Sequence, residues 1–157
     1  MASDDEGGQG IGRLLGLGHD LVHIPTFSRQ LALPGSRMRS LFSARELKQS
    51  AARAQLKGDS EALHLAARWA GKEAALKAWS AALGSQAAPY TIDNFPWSQV
   101  EILDDSRSRP GIYLAAEVDA CLRDSLPLQG PPRWFISLTH EAEYASAVVV
   151  LGSRAEE

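Results

Sequence analysis

The first long apolar stretch, Leu14-Leu15-Gly16-Leu17-Gly18-His19-Asp20-Leu21-Val22-His23-Ile24, stops at Pro25. It reads as a buried strand. Neighbours on a strand alternate sides, so Asp20 faces away from His19 and Leu21. The two glycines remove side chains where another backbone or a ligand approaches. Beyond Pro25, residues 26–33 predict a short helix that Pro34-Gly35 breaks. Ser43-Ala44-Arg45-Glu46 has the spacing of a capping box and opens a helix from Ala44 to about Leu56, before Gly58. Asp59 or Ser60 caps the next and longest helix, Glu61 to Leu83, which Gly84 closes. Its buried stripe is Leu65, Trp69, Leu76, Trp79 and Leu83.

The second half alternates more quickly. Residues 99–103 and 112–114 predict strands flanking a turn at 104–110, and 115–125 is helical in composition. Residues 134–138 and 144–151 predict a terminal antiparallel hairpin, with His140 in the turn between them. Residues 1–10 and 153–157 read as polar tails around one domain at 11–152.

Composition narrows the class. A chain of 157 residues, 45% hydrophobic and 22% charged, fits one globular domain burying roughly 70% of its unfolded surface. No apolar run spans a bilayer, and Asp4, Asp5 and Glu6 stand where a secretory signal carries basic residues, so the expected compartment is the cytoplasm. A single cysteine, Cys121, excludes an internal disulfide. A net charge of −3 argues against general nucleic-acid binding. Between Ser28 and Lys57, however, Arg29, Arg37, Arg39, Arg45, Lys48, Arg53 and Lys57 face only Glu46. That segment is either a solvated face or a docking surface for an acidic macromolecule.

The long helix carries the clearest chemistry. Glu73 and Lys77 are four apart and project from one face. Ala66 and Ala70 on that face leave room for a shallow recess beside them. The spacing is equally that of an ordinary surface pair worth about 0.3–0.5 kcal/mol. Lys72 falls in the apolar stripe, where its stem can be buried with its head in water. Asp20 ends an apolar strand and calls for a cation or hydrogen bonds, unless it is an exposed turn cap. Asp20 with Glu73 would give two oxygen ligands for a hard cation, the way magnesium is held beside substrate phosphates. His19-Asp20 and His23 also admit an HD-type metal phosphohydrolase, although the further ligands that chemistry needs are scarce.

Four segments, in order, resemble the holo-acyl-carrier-protein synthase family, the small branch of the 4′-phosphopantetheinyl transferases. They are Gly16-Leu17-Gly18-His19-Asp20, Leu41-Phe42-Ser43-Ala44-Arg45-Glu46-Leu47, Arg68-Trp69-Ala70-Gly71-Lys72-Glu73-Ala74-Ala75-Leu76-Lys77-Ala78, and Ser137-Leu138-Thr139-His140-Glu141. The Ile24-Pro25 and Lys77-Ala78-Trp79 neighbourhoods look like the actinobacterial branch. The resemblance implies an α+β fold with a long central helix packed on a mostly antiparallel sheet, assembled as a homotrimer with active sites between neighbours. It implies that Asp20 and Glu73 ligate Mg2+ with the coenzyme A pyrophosphate, and that Lys77 stabilises or protonates the departing phosphate. Arg68, Lys72 and His140 are implied as coenzyme A-binding residues. The implied acceptor is an acyl carrier protein or the carrier domain of a fatty acid synthase, acidic proteins that would give the basic segment a purpose.

Three positions depart from the family pattern. Thr26 stands where the family usually has an arginine, which moves that contact to Arg29 or removes it. Residues 80–85 replace a Gly-Thr-Gly-like segment, and Ser108-Arg109-Pro110 replaces a Gly-x-Pro turn. A non-catalytic carrier-binding module that kept the fold is the alternative these departures suggest.

Overall fold

Strand β1, Ile11–His23, runs directly into helix α1, Ile24–Ala32, in the computed structural model, which describes residues 11–154. The predicted N-terminal tail, 1–10, lies outside the described residues. Pro25 sits in the first turn of α1, where its missing N–H costs nothing, and the His23 ring accepts from the Thr26 amide as the cap. After a 3-10 turn at Met38–Leu41 comes helix α2, Ala44–Lys57, opened by a complete Ser43/Glu46 capping box and closed by Gly58 at φ 69°. Helix α3, Glu61–Leu83, has the predicted bounds and takes its cap from Ser60. A second 3-10 turn, Trp97–Gln99, leads into strands β2, Val100–Asp104, and β3, Pro110–Leu114. Helix α4, Ala116–Ser125, and strands β4, Pro132–Glu141, and β5, Tyr144–Arg154, complete the chain.

The main sheet has the order β1-β5-β4, antiparallel throughout, and β2-β3 form a separate antiparallel ribbon. The α+β architecture with a central helix on an antiparallel sheet is therefore as expected. Helix α3 lies on one face of the main sheet, and it is buried on more than the predicted stripe. Ala66, Ala70, Ala74 and Ala78, an i, i+4 row, are all 0% exposed, while Leu65, Trp79 and Leu83 fill other sides of the helix. A helix packed on several sides shows little amphipathic contrast, which is why the stripe alone understated it. Ala66 and Ala70 consequently form no recess for a ligand.

Two boundaries differ from the sequence reading. The hairpin turn is only Ala142-Glu143, with Ala142 at φ 51°, so Thr139 and His140 are strand residues paired with Ser146 and Ala145. Their polarity marks a strand end exposed on both faces rather than a loop. Ser153 and Arg154 belong to β5, and Ser153 is buried, so no tail begins at 153; residues 155–157 lie outside the described residues. Among the described residues, no helix is long and apolar enough to cross a membrane.

Candidate active site

The site begins with two glycines. A Cβ on Gly16 would fall 2.0 Å from the Ala78 carbonyl oxygen, and one on Gly18 would fall 1.8 Å from that of Ala74. Only glycine lets the α3 backbone sit directly on β1 at these positions. Two residues of strand and four of helix advance the chain by nearly equal lengths, about 6–7 Å, so the contact repeats in phase. One strand step further, Asp20 points inward beside the turn carrying Glu73 and Lys77. Its carboxylate is 8% exposed on the α3 side, while His19 and Leu21 face outward.

Nζ of Lys77 donates to Asp20 Oδ1 at 2.8 Å and to the His19 carbonyl at 3.0 Å. Asp20 Oδ2 is buried without a donor. Its neighbour is the Glu73 carboxyl, and two ionised carboxylates offer each other only acceptors. Burial, and then the contact with Asp20, push the Glu73 carboxyl up to about 7 against the opposing pull of Lys77. A crowded pair of this kind is short of one proton or one cation. An orphaned carboxylate oxygen beside a second, half-buried carboxyl fits a magnesium ion that takes its other ligands from phosphate and water. Among the described residues no group of three His, Cys, Asp or Glu side chains could hold a metal.

Arg68 and His140 meet elsewhere. They line one cleft of about 180 Å³ with Arg53, Lys57, Ser108 and Thr139. Arg68 is 3% exposed, and its Nη2 donates to Gln49 Oε1 at 2.7 Å and approaches Asp104 Oδ2 at 3.4 Å. Burial lowers its pKa, and Asp104 and Glu46 oppose that shift. Its Nε is buried with no partner. Arg53, Gln49, Asp104 and Ser108 were not singled out as site residues from sequence. Only the placement of Arg53 in the basic run, and of Ser108 where the family has glycine, signalled them.

Lys72 does not reach water and has no surface to offer coenzyme A. It is 0% exposed, with Nζ donating to the Trp97 and Val100 carbonyls at 2.6 Å each and lying 2.9 Å from Glu46 Oε2. Burial lowers its pKa, opposed chiefly by Glu46. Glu46 also accepts from the Ile102 and Ser43 amides, so the pair ties α2, α3 and β2 together. The apolar stripe told where Lys72 lies but not that an acid from another helix would meet it there.

The basic segment is less free than its sequence suggests. Arg39 pairs with Glu61, Arg45 with Glu101 and Arg53 with Asp104. Among the described residues, Arg29, Arg37, Lys48 and Lys57 have no carboxylate partner. Arg29 also donates to Thr26 Oγ1 at 3.2 Å, which brings a guanidinium to the position where the family usually has arginine. The phosphohydrolase arrangement is not assembled. His19 faces the outer side of the sheet at 2.9 Å from Ser146 Oγ, His23 caps α1, and His64 is paired with Asp59 at 2.6 Å.

A helix seated on glycines, a carboxylate pair with a lysine, and a separate basic cleft together describe a phosphoryl-transfer protein of α+β fold. Residues 16–149 match the profile of the 4′-phosphopantetheinyl transferase superfamily. The holo-acyl-carrier-protein synthase of Bifidobacterium adolescentis is 53% identical over 150 residues, covering 88% of this chain and 99% of that protein. That of Bifidobacterium animalis is 49% identical, covering 90% and 99%. The solved complex of the Chronobacterium ammoniagenes synthase with CoA aligns with a TM-score of 0.76 at 36% identity, covering 88% and 97%. The chain belongs to this superfamily, in its holo-acyl-carrier-protein synthase branch with actinobacterial relatives, and is a phosphopantetheinyl transferase.

Proposed function

We propose that this enzyme transfers 4′-phosphopantetheine from coenzyme A to a serine of an apo acyl carrier protein or carrier domain, with Mg2+ as cofactor and 3′,5′-ADP released. The observation that carries the reading is the convergence of Asp20, Glu73 and Lys77 at one point, with a carboxylate oxygen left without a donor. Bound between the two carboxylates, magnesium would neutralise charge on the pyrophosphate. The carrier serine oxygen forms a bond to the β-phosphorus while the bond to the bridging oxygen breaks. The serine proton passes to a carboxylate of the pair. Lys77, about half exposed, meets the charge that develops on the departing phosphate.

Coenzyme A carries one further phosphate, the 3′-monoester, and the cleft of Arg68 and His140 is suited to it. Five helical positions turn Arg68 by about 140° from Glu73, so one chain does not present both to one coenzyme A. Sites shared between copies resolve this, and the outer face of the main sheet supports such an assembly. Leu17, Leu21 and Val148 are 59%, 58% and 42% exposed there. An apolar face of this kind favours association, and the family resemblance supports an assembly of three. Arg29 and Arg37 are the free charges best placed to meet an acidic carrier. The absence of a membrane-crossing helix among the described residues agrees with a cytoplasmic enzyme.

Intact-mass measurement of an apo carrier incubated with coenzyme A and Mg2+ tests the reading. One added phosphopantetheinyl group, absent without magnesium, is expected. Carrier binding without transfer to any of several carriers would favour the non-catalytic module instead.

A further inference from the structure

The turn between β2 and β3 breaks a backbone preference beside the basic cleft. Ser108 adopts φ 61°, the left-handed region that glycine enters freely and a residue with a Cβ resists. Its hydroxyl accepts from Arg53 Nη1 at 3.2 Å. Nε of the same guanidinium lies 3.3 Å from Asp104 Oδ2, and that oxygen is also the partner of Arg68 at 3.4 Å. Arg53 is thus held from two sides, through Nε and Nη1, which leaves Nη2 for the cleft it lines. Arg68 adds a buried Nε with no acceptor in the protein. Buried donors are ordinarily satisfied, so the Arg68 guanidinium is one acceptor short beside the cleft that the residue lines.

We infer that Ser108 is a positioning residue that fixes Arg53 at the cleft and thereby sets the enzyme's preference for a donor bearing a 3′-phosphate monoester. This rests on the assignment of the cleft to that phosphate. A dianionic monoester presents several acceptor oxygens and can engage the Arg53 and Arg68 forks together. A 3′-hydroxyl cannot, and it leaves both guanidinium groups with Asp104 as their one anionic partner. Glycine at 108 would relieve the backbone and release Arg53. The side-chain acceptor is therefore what serine supplies in exchange for the strain.

Calorimetric titration of 3′,5′-ADP and 5′-AMP into the full chain, with Mg2+ present, separates these contributions. The wild type is expected to bind 3′,5′-ADP at least about tenfold tighter than 5′-AMP, the worth of one charge-assisted hydrogen bond or more. Ser108→Gly is expected to melt no lower than wild type yet lose several-fold of that preference, with 5′-AMP affinity unchanged. KM for coenzyme A should rise with kcat unchanged. Ser108→Asn, which tolerates the left-handed region and keeps an acceptor, should restore the preference. A wild-type ratio retained by Ser108→Gly, or lost equally in Ser108→Asn, overturns the role of Ser108 while leaving the cleft assignment standing. No preference in the wild type overturns both.

Discussion

Nζ of Lys77 donates to Asp20 Oδ1 at 2.8 Å across 57 positions of chain. The contact depends on Gly16 and Gly18, which let α3 rest on β1 without side chains between them. The chemistry of the site is therefore set by a backbone distance as much as by the acidic residues.

Gly18→Ala tests that dependence. Its Cβ would stand 1.8 Å from a helical carbonyl oxygen that is itself hydrogen-bonded, so α3 must shift rather than a side chain. Overpacking of this type costs about 1–3 kcal/mol, and a displacement near 1 Å at the site costs roughly 100-fold in rate. Thermal melting and transfer assays of the variant should both fall, with the rate loss exceeding what the lost folded fraction explains. Unchanged turnover would show that the helix seat is not needed for catalysis.

Glu73→Gln and Asp20→Asn should each lower transfer by roughly 100-fold or more while the fold persists, since a neutral amide does not balance a cation. Relief of the crowded carboxylates should leave melting temperature equal or higher. Lys77→Ala should reduce kcat more than coenzyme A affinity, because the charge it meets develops in the transition state. Equal losses in binding and rate would assign Lys77 to anchoring instead.

Lys72→Met should destabilise the chain by about 3–5 kcal/mol by stranding the buried Glu46 carboxylate. The double variant with Glu46→Gln should recover part of that loss. Denaturant unfolding of the three proteins measures the difference. A mild loss with weakened coenzyme A binding would restore Lys72 to the substrate site.

Carrier encounter should slow on Arg29→Glu and Arg37→Glu, most at low salt, and slow less on Arg45→Glu. Arg45 is already answered by Glu101. Stopped-flow association rates across ionic strength distinguish them. Equal effects at all three positions would mean that internal pairing does not govern the field the carrier meets.

The Glu101 carboxyl is held below its ordinary range by the Arg45 hydrogen bond, with Ser43 adding to it against the effect of burial. A lowered folded pKa contributes stability above the unfolded value of about 4.3, which fades as pH falls through the folded one. Acid unfolding of Glu101→Gln should show a shallower loss of stability below about pH 4 than wild type. Parallel curves would remove Glu101 from the acid response.

Local signals were legible in the sequence wherever one segment decides its own structure. The Ser43/Glu46 box, a cap at Asp59 or Ser60 and Gly84 bounded α2 and α3 because capping is a contest among neighbouring groups, and the structure selects Ser60. That Asp20 faces away from His19 and Leu21, and that Glu73 and Lys77 share a face, followed from strand and helix periods, while which face of β1 is covered did not. Long-range partners were not legible. Nothing local to Lys72 announces Glu46, and nothing near Arg45 or Arg53 announces Glu101 or Asp104. His140 looked like a turn residue because polarity at an exposed strand end resembles that of a loop, while backbone pairing decides between them.

The central claim is that Asp20 and Glu73 grip one divalent ion beside a pyrophosphate. Crystals of the protein grown with coenzyme A and Mn2+, measured at the manganese absorption edge, test it most directly. The account predicts one anomalous peak in contact with both carboxylates and with pyrophosphate oxygens. Clear coenzyme A density with no peak between Asp20 and Glu73, or with the ion held by other groups, would contradict it.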